Sequence, residues 1–206
     1  MSSLFITFEG PEGSGKTTQA SLLVESLNEL DYKVKLTREP GGDPVSEDIR
    51  RILLDSSDGS IADTTELLLY IAARAQHTEQ IIIPHLNDGF VVVCARYADS
   101  TLAYQGYGSG LDISLIERMN AFATYGTTPD MTFLLDIDTE VGLSRQQEWN
   151  RIEHKAVEYH KRVRTGFLDI AAQHSERVIV VDASQDIQTI QNQILERVKQ
   201  RLAGSA

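Results

Sequence analysis

"LFITFEGPEGSGKTTQ", residues 4–19, decides the fold. An apolar run from Leu4 to Phe8 gives way to glycines and then to a segment of helical period. Gly10, four residues, then Gly15, Lys16 and Thr17 satisfy the phosphate-loop pattern G-x-x-x-x-G-K-[ST] in its proper strand-to-helix setting. Glycines let the backbone curl until successive amides point inward at phosphate oxygens, and the following helix adds its positive end. Gly10, Pro11, Glu12, Gly13, Ser14, Gly15, Lys16, Thr17 and Thr18 are therefore the expected seat of a nucleoside triphosphate such as ATP. Lys16 can reach the β and γ phosphates, and the Thr17 hydroxyl is placed to ligate Mg²⁺.

Outward from this stretch, short apolar runs alternate with segments of helical period. Strands are expected at Leu4 to Phe8, Lys33 to Thr37, Phe90 to Cys94, Met131 to Asp136 and Arg177 to Val181. Nearly continuous apolar runs of this kind suit a parallel sheet covered on both faces. Ala20, Leu23, Leu27 and Leu30 recur at helical spacing, as do Leu67, Leu68, Ile71 and Ala75, then Ile113, Ile116, Met119 and Phe122, and finally Ile187, Ile190, Ile194, Val198 and Leu202. Each set reads as the buried stripe of a crossover helix. The expectation is a doubly wound α/β fold with helices on both faces of the sheet, its ligands gathered at the carboxyl ends of the strands.

Composition limits what such a fold can do. The formal charge of -11 over 206 residues lacks the basic footprint of a nucleic-acid binder and would be repelled by anionic lipid. Cys94, the single cysteine, lies in an apolar run, so neither a disulfide framework nor a thiolate metal cluster is expected and a reducing cytosol fits. No apolar run approaches the ~20 residues that span a bilayer, and without a basic stretch followed by an apolar one at its start no secretory leader is expected. A single domain over residues 1–206, in the cytoplasm, is the expectation. His77, His85, His154, His160 and His174 are too dispersed for a metal cluster.

A phosphate loop alone does not separate a kinase from a GTPase, motor or helicase. The guanine-reading N-K-x-D segment of switch GTPases is absent. Small kinases need an acceptor pocket and a cover that excludes water. "TREPGG" at 37–42, "YIAARAQH" at 70–77, "RYADSTLAYQGYG" at 96–108 and "NRIE" at 150–153, taken together and in this order, resemble bacterial thymidylate kinases, the phosphate-loop nucleoside monophosphate kinases that phosphorylate dTMP with ATP. The resemblance implies a five-stranded parallel sheet, a dTMP pocket, a short lid and a homodimer.

It also implies roles for particular residues. Arg96 grips the acceptor phosphate, where a guanidinium fork suits the oxygens, and Arg38 and Pro40 complete that end. Tyr104 crowds the sugar against a 2′-hydroxyl, and Ser100, Thr101 and Gln105 line the base pocket. Tyr70 matches the ring that stacks on thymine and Arg74 the arginine that contacts it, four residues apart and so on one helix face. Glu12 matches the acid that holds the 3′-hydroxyl side of deoxyribose. The lid is expected at about 142–153, "GLSRQQEWNRIE". Gly13 stands where the eukaryotic branch carries an arginine, so by resemblance the lid supplies the transition-state cation, with Arg151 first and Arg145 second, or Arg145 lying against adenine.

Three positions depart from the family pattern, and each deletes charge. Ala95 stands where an aspartate usually precedes Arg96 beside the metal, Ser109 where arginine is frequent, and Asn150 where the lid often has aspartate. Two alternatives to a dTMP kinase therefore stay open at this point: a nucleotide-binding protein of the same fold with catalysis impaired by Ala95, and a kinase for another nucleoside monophosphate.

Overall fold

The computed structural model describes residues 3–55, 61–145 and 151–204. β1 (Leu4–Glu9) leads through the phosphate loop into α1 (Lys16–Asn28), and β2 (Val34–Arg38) follows, then α2 (Pro44–Asp55). α3 (Asp63–His77) continues through a π-helical turn at Thr78–Ile82 into α4 (Ile83–Asn87) and β3 (Val91–Ala95). α5 (Ala98–Thr101) widens into a second π-helical segment, Leu102–Gly108, before α6 (Ile113–Ala123). The chain closes with β4 (Met131–Asp136), α7 (Thr139–Ser144), α8 (Val157–Gln173), β5 (Val178–Asp182) and α9 (Ile187–Ala203).

The sheet has five strands in the order β2-β3-β1-β4-β5, and every neighbouring pair runs parallel. Each expected strand is present within about a residue of its expected ends; β1, β3 and β4 are apolar runs buried almost throughout, whereas β2 and β5, at the edges of the sheet, are partly exposed. Leu4, Ile6 and Phe8 of β1 face α1 and α9, where Leu23, Leu27, Ile194 and Val198 meet them. Phe5 points to the other face, among Val92, Cys94 and Tyr97, and the opposite side of β4 and β5 is covered by α8 through Val163, Phe167 and Ile170. Cys94 is buried and free.

Each of the four expected stripes has one member that is exposed. Leu30 is 43% exposed because α1 ends at Asn28, and Phe122, the last member of the α6 stripe, is 83% exposed. Leu68 and Ile187 are also solvent-facing. The sequence reading names no helix at α2 or α8. Both carry signals: Asp43 caps the first, accepting from the Val45 and Ser46 amides at 3.0 and 3.1 Å with Pro44 in its first turn, and Tyr159, Val163, Phe167 and Ile170 form the buried stripe of the second.

Leu23 of α1 is fully buried against β1. Truncation to alanine is expected to cost about 2–5 kcal/mol, read as a lower urea midpoint at unchanged slope; a loss within ~0.5 kcal/mol would contradict this placement.

Candidate active site

The phosphate loop is a backbone structure before it is a side-chain one. Gly10, Gly13 and Gly15 have φ of 140°, 68° and 87°, in the left-handed region that side chains avoid. A Cβ on Gly13 would lie 1.9 Å from the carbonyl oxygen of Gly142, and one on Gly142 would lie 2.3 Å from that of Glu12. The loop thus packs backbone to backbone against α7, which Asp138 caps from below by accepting from the Glu140 and Val141 amides. An arginine at position 13 would have neither the φ nor the space.

Lys16 opens α1 and folds back over this loop, donating to the carbonyls of Gly10 (3.0 Å) and Pro11 (2.7 Å) and to Ser14 Oγ (3.1 Å). Burial, with the nearby Arg96 cation, pushes its ammonium down to about 7 against the pull of Glu12, Glu9 and Glu153. Thr17 and Thr18 follow on the cavity wall.

Because β3 pairs with β1, with Ala95 opposite Phe8, Arg96 emerges beside the loop. It takes a left-handed φ of 71°, uncommon for a side chain with a Cβ and frequent at functional turns. One Nη donates to both oxygens of Glu12 at 2.9 and 2.8 Å, and the other reaches Tyr104 Oη at 3.2 Å and the Gly10 carbonyl at 3.3 Å. Tyr104 donates to Glu12 at 2.8 Å. Burial alone would push the Glu12 carboxyl up, but Arg96 and Lys16 outweigh it and hold the group below its usual range. Burial likewise opposes the Arg96 charge, and Glu12 more than restores it. The awkward acid of an anion-binding loop is therefore the counter-charge of its arginine.

Next to Arg96, Glu9 ends β1 and is buried. It accepts from the Tyr97 amide (2.7 Å) and Ser100 Oγ (2.5 Å), yet burial and the Asp99 charge push it up to about 7. Ala95 beside it contributes no carboxylate.

A cavity of about 380 Å³ opens between these parts. The loop side is lined by Glu12, Gly13, Gly15, Lys16, Thr17 and Thr18, and the far side by Pro40, Tyr70, Arg74, Arg96, Ser100, Thr101, Tyr104 and Gln105. Gly10, Pro11 and Ser14 shape the loop from behind. Arg74 is 2% exposed and is part of the cavity lining. Its Nε donates to Glu39, one Nη to Thr101 and Asn120, and the other to the Tyr97 carbonyl. Glu39 in turn holds His77 Nδ1 at 3.0 Å, and His77 Nε2 meets Thr37 Oγ1 at 2.6 Å, so this histidine orients an arginine.

Three expected cations lie off this wall. Arg38 points out to Glu47, with a side chain 47% exposed. Arg145 donates to the carbonyl of Ala183 at 3.2 Å and approaches that of Gly13 at 3.5 Å, on the β5 side of the loop. Arg151, expected at the transferring phosphoryl group, is instead paired with Glu66 of α3 and donates to the Leu53 carbonyl at 3.1 Å. Asn150 and most of the middle of the expected lid, residues 146–150, lie outside the described residues; Ile152 and Glu153 at its end line the cavity. Sequence reading missed Arg50, Leu54 and Glu39 on the wall. Arg50 donates to the Pro40 carbonyl at 2.9 Å, and burial together with Arg38 pushes its guanidinium down.

Comparison with known proteins identifies the family and its fold. Residues 8–194 match the family model described as thymidylate kinase. A thymidylate kinase of Roseiflexus castenholzii is 49% identical over 98% of this chain and 95% of its own length, and one of Geobacter sp. is 47% identical over 96% and 92%. The crystal structure of thymidylate kinase from Ehrlichia chaffeensis superposes with a TM-score of 0.80 at 38% identity, over 96% of this chain and 99% of that one.

The depressed Lys16 carries a testable consequence. Above pH about 7 its amine is increasingly neutral, whereas an anionic triphosphate favours the ammonium, so nucleotide binding must draw in a proton. Calorimetry of ATP binding at pH about 8, in buffers of unlike ionisation enthalpy, is expected to give net uptake approaching one proton and an affinity that weakens as pH rises further. Buffer-independent heat would contradict it.

Proposed function

The chain belongs to the thymidylate kinase family, and from that premise we propose how its cavity performs the family's reaction. The enzyme is an ATP-dependent phosphotransferase that moves the γ-phosphoryl group of ATP to a phosphate oxygen of dTMP, giving dTDP and ADP. The observation that carries the residue assignment is the meeting of Lys16 and Arg96 in one cavity, each within hydrogen-bond reach of the Gly10 carbonyl. Two anion sites lie end to end there. The loop amides and Lys16 take the triphosphate; Arg96, with Arg50 beyond it, takes the monophosphate, and Arg38 joins them only by leaving Glu47.

On this reading Glu12 and Tyr104 hold Arg96 in its strained turn and define the sugar side, where Tyr104 leaves little room for a 2′-hydroxyl. Tyr70 supplies the flat wall for the base, and Ser100, Thr101 and Gln105 its polar edge, with Arg74 framing it. No covalent intermediate is required: holding donor and acceptor in line and neutralising spread charge accounts for most of the acceleration. Of the two lid cations, Arg145 borders the nucleotide side of the loop, while Arg151 reaches a phosphoryl group only by leaving Glu66.

Mg²⁺ fits the donor set. The ion would be carried chiefly by the phosphates of ATP, with Thr17 as the protein's hydroxyl ligand. Bound there, it neutralises charge on the phosphoryl oxygens. The residues from 1 to 206 act as one unit, and a reducing cytoplasm suits the buried, unpaired Cys94. No helix among the described residues is long and apolar enough to cross a membrane.

α3 and α6 pack side by side and present Leu68, Leu115 and Phe122 to solvent, 52%, 43% and 83% exposed. On this reading these exposed apolar side chains are covered by a second copy of the chain in a homodimer. Sedimentation is expected to show a dimer that Phe122→Glu converts to monomer; a monomeric wild type would overturn this.

One residue favours a second reading, a binder with impaired turnover. Ala95 lies between Phe8 and Arg38 in register, where a carboxylate would adjoin the reacting phosphates. An ADP-release assay over dTMP, dUMP, UMP, dCMP and dGMP is expected to show a rate confined to dTMP and dUMP. Ala95→Asp should raise kcat by roughly tenfold with little change in KM for dTMP, the size of effect typical of residues beside a metal site. Equal rates with ribonucleotides would contradict the acceptor assignment, and activity found only after Ala95→Asp would establish the binder.

A further inference from the structure

We propose that Glu66 is a positioning residue for base recognition: through Gln105 it fixes which edge of the acceptor's pyrimidine the cavity accepts, and through Arg151 and Lys155 it ties that choice to the chain from residue 151 to 155, where the lid ends. The proposal rests on the reading of the cavity as the dTMP site.

Glu66 lies one helical turn before Tyr70 and two before Arg74, on the α3 face that turns toward the cavity. Its side chain is fully buried, a rare position for a carboxylate without partners, and the partners come from two directions. Gln105 Nε2 donates to Oε1 at 2.8 Å, and Lys155 Nζ stands 3.5 Å from the same oxygen. Arg151 pairs with Oε2.

A carboxylate only accepts hydrogen bonds. Gln105 must therefore turn its amide nitrogen toward Glu66, which leaves its carbonyl oxygen as the atom offered to a ligand in the cavity it lines. Without Glu66 the two ends of the amide would be nearly interchangeable. An acceptor at that place suits a base with an N–H on its Watson–Crick edge, as thymine and uracil have at N3. Cytosine carries a lone pair there, so two acceptors would face each other with nothing between them, a mismatch that polar sites reject strongly. Arg74 does not make this choice, since its N–H groups are engaged by Glu39, Thr101, Asn120 and the Tyr97 carbonyl.

Arg151 and Lys155 add a mechanical link. Both follow residue 150, and both end on the carboxylate that orients Gln105. Moving that segment away would leave Glu66 buried with only Gln105, so the arrangement that sets the amide is most stable with the segment in place.

The test compares kcat/KM for dTMP and dCMP in wild type, Glu66→Gln, Gln105→Leu and the double variant. In Glu66→Gln the dTMP preference is expected to fall about tenfold or more, mainly through KM for dTMP, because a neutral amide no longer dictates the orientation of Gln105. Gln105→Leu should lose a similar factor, and the double variant no more than either single one. Glu66→Asp, which keeps the charge but withdraws it by a methylene, is the second variant and should also lose selectivity. A merely structural role would lower kcat for both substrates alike and leave the ratio intact; that outcome, or losses that add in the double variant, overturns the proposal. Wild type that uses dCMP as readily as dTMP overturns both this proposal and the acceptor assignment, whereas a selective wild type with an equally selective Glu66→Gln overturns this proposal alone.

Discussion

The pairing of β3 beside β1 is the constraint on which the site depends. Strands joined by a crossover of some eighty residues of sequence would have no reason to present their ends to one another, yet the in-register pairing of Phe8 with Ala95 brings the loop after one against the turn after the other. Both turns need left-handed backbone, at Gly10, Gly13 and Gly15 on one side and at Arg96 on the other. The ion pair between Arg96 and Glu12 then closes the gap. Neither charge is well hydrated, and each makes the other tolerable, so the cavity holds concentrated positive charge in a chain whose net charge is -11.

Much of this was legible in the sequence because the signals were local. The runs of β1, β3 and β4 carry little polar alternation and read as buried strands, β2 and β5 keep the same rhythm at the partly exposed edges of the sheet, and the phosphate loop carries its conformation in its glycines. The stripe of α1 failed at Leu30, past the helix end, that of α6 at Phe122, that of α3 at Leu68 and that of α9 at Ile187, all of which face solvent. Periodicity reports that a residue is apolar on a face, not whether the next helix or solvent covers it.

The site was less legible, for an equally physical reason. Family resemblance places Arg151 in the lid, but the partner that fixes its guanidinium, Glu66, is 85 residues away in sequence and reads there as an ordinary helix acid. Arg50 went unnoticed because its place on the wall depends on α2 folding back along the Glu39–Pro40 turn. His77 looked like one of several scattered histidines until Glu39 and Thr37 closed around it. Long-range polar pairs of this kind leave no periodic trace. Ala95, by contrast, was plain from the sequence, and the structure adds that Glu9, pushed up to about 7 by burial, is the nearby carboxyl that remains.

The central claim is that one cavity holds two phosphate chains end to end, the first on loop amides and Lys16, the second on Arg96. A crystal structure with dTMP and a non-hydrolysable ATP analogue tests it most directly. The account predicts the monophosphate against Arg96, its base on Tyr70 beside Gln105, and its free oxygens facing the γ-phosphate over Lys16. A monophosphate bound elsewhere, with Arg96 still closed on Glu12, would contradict it.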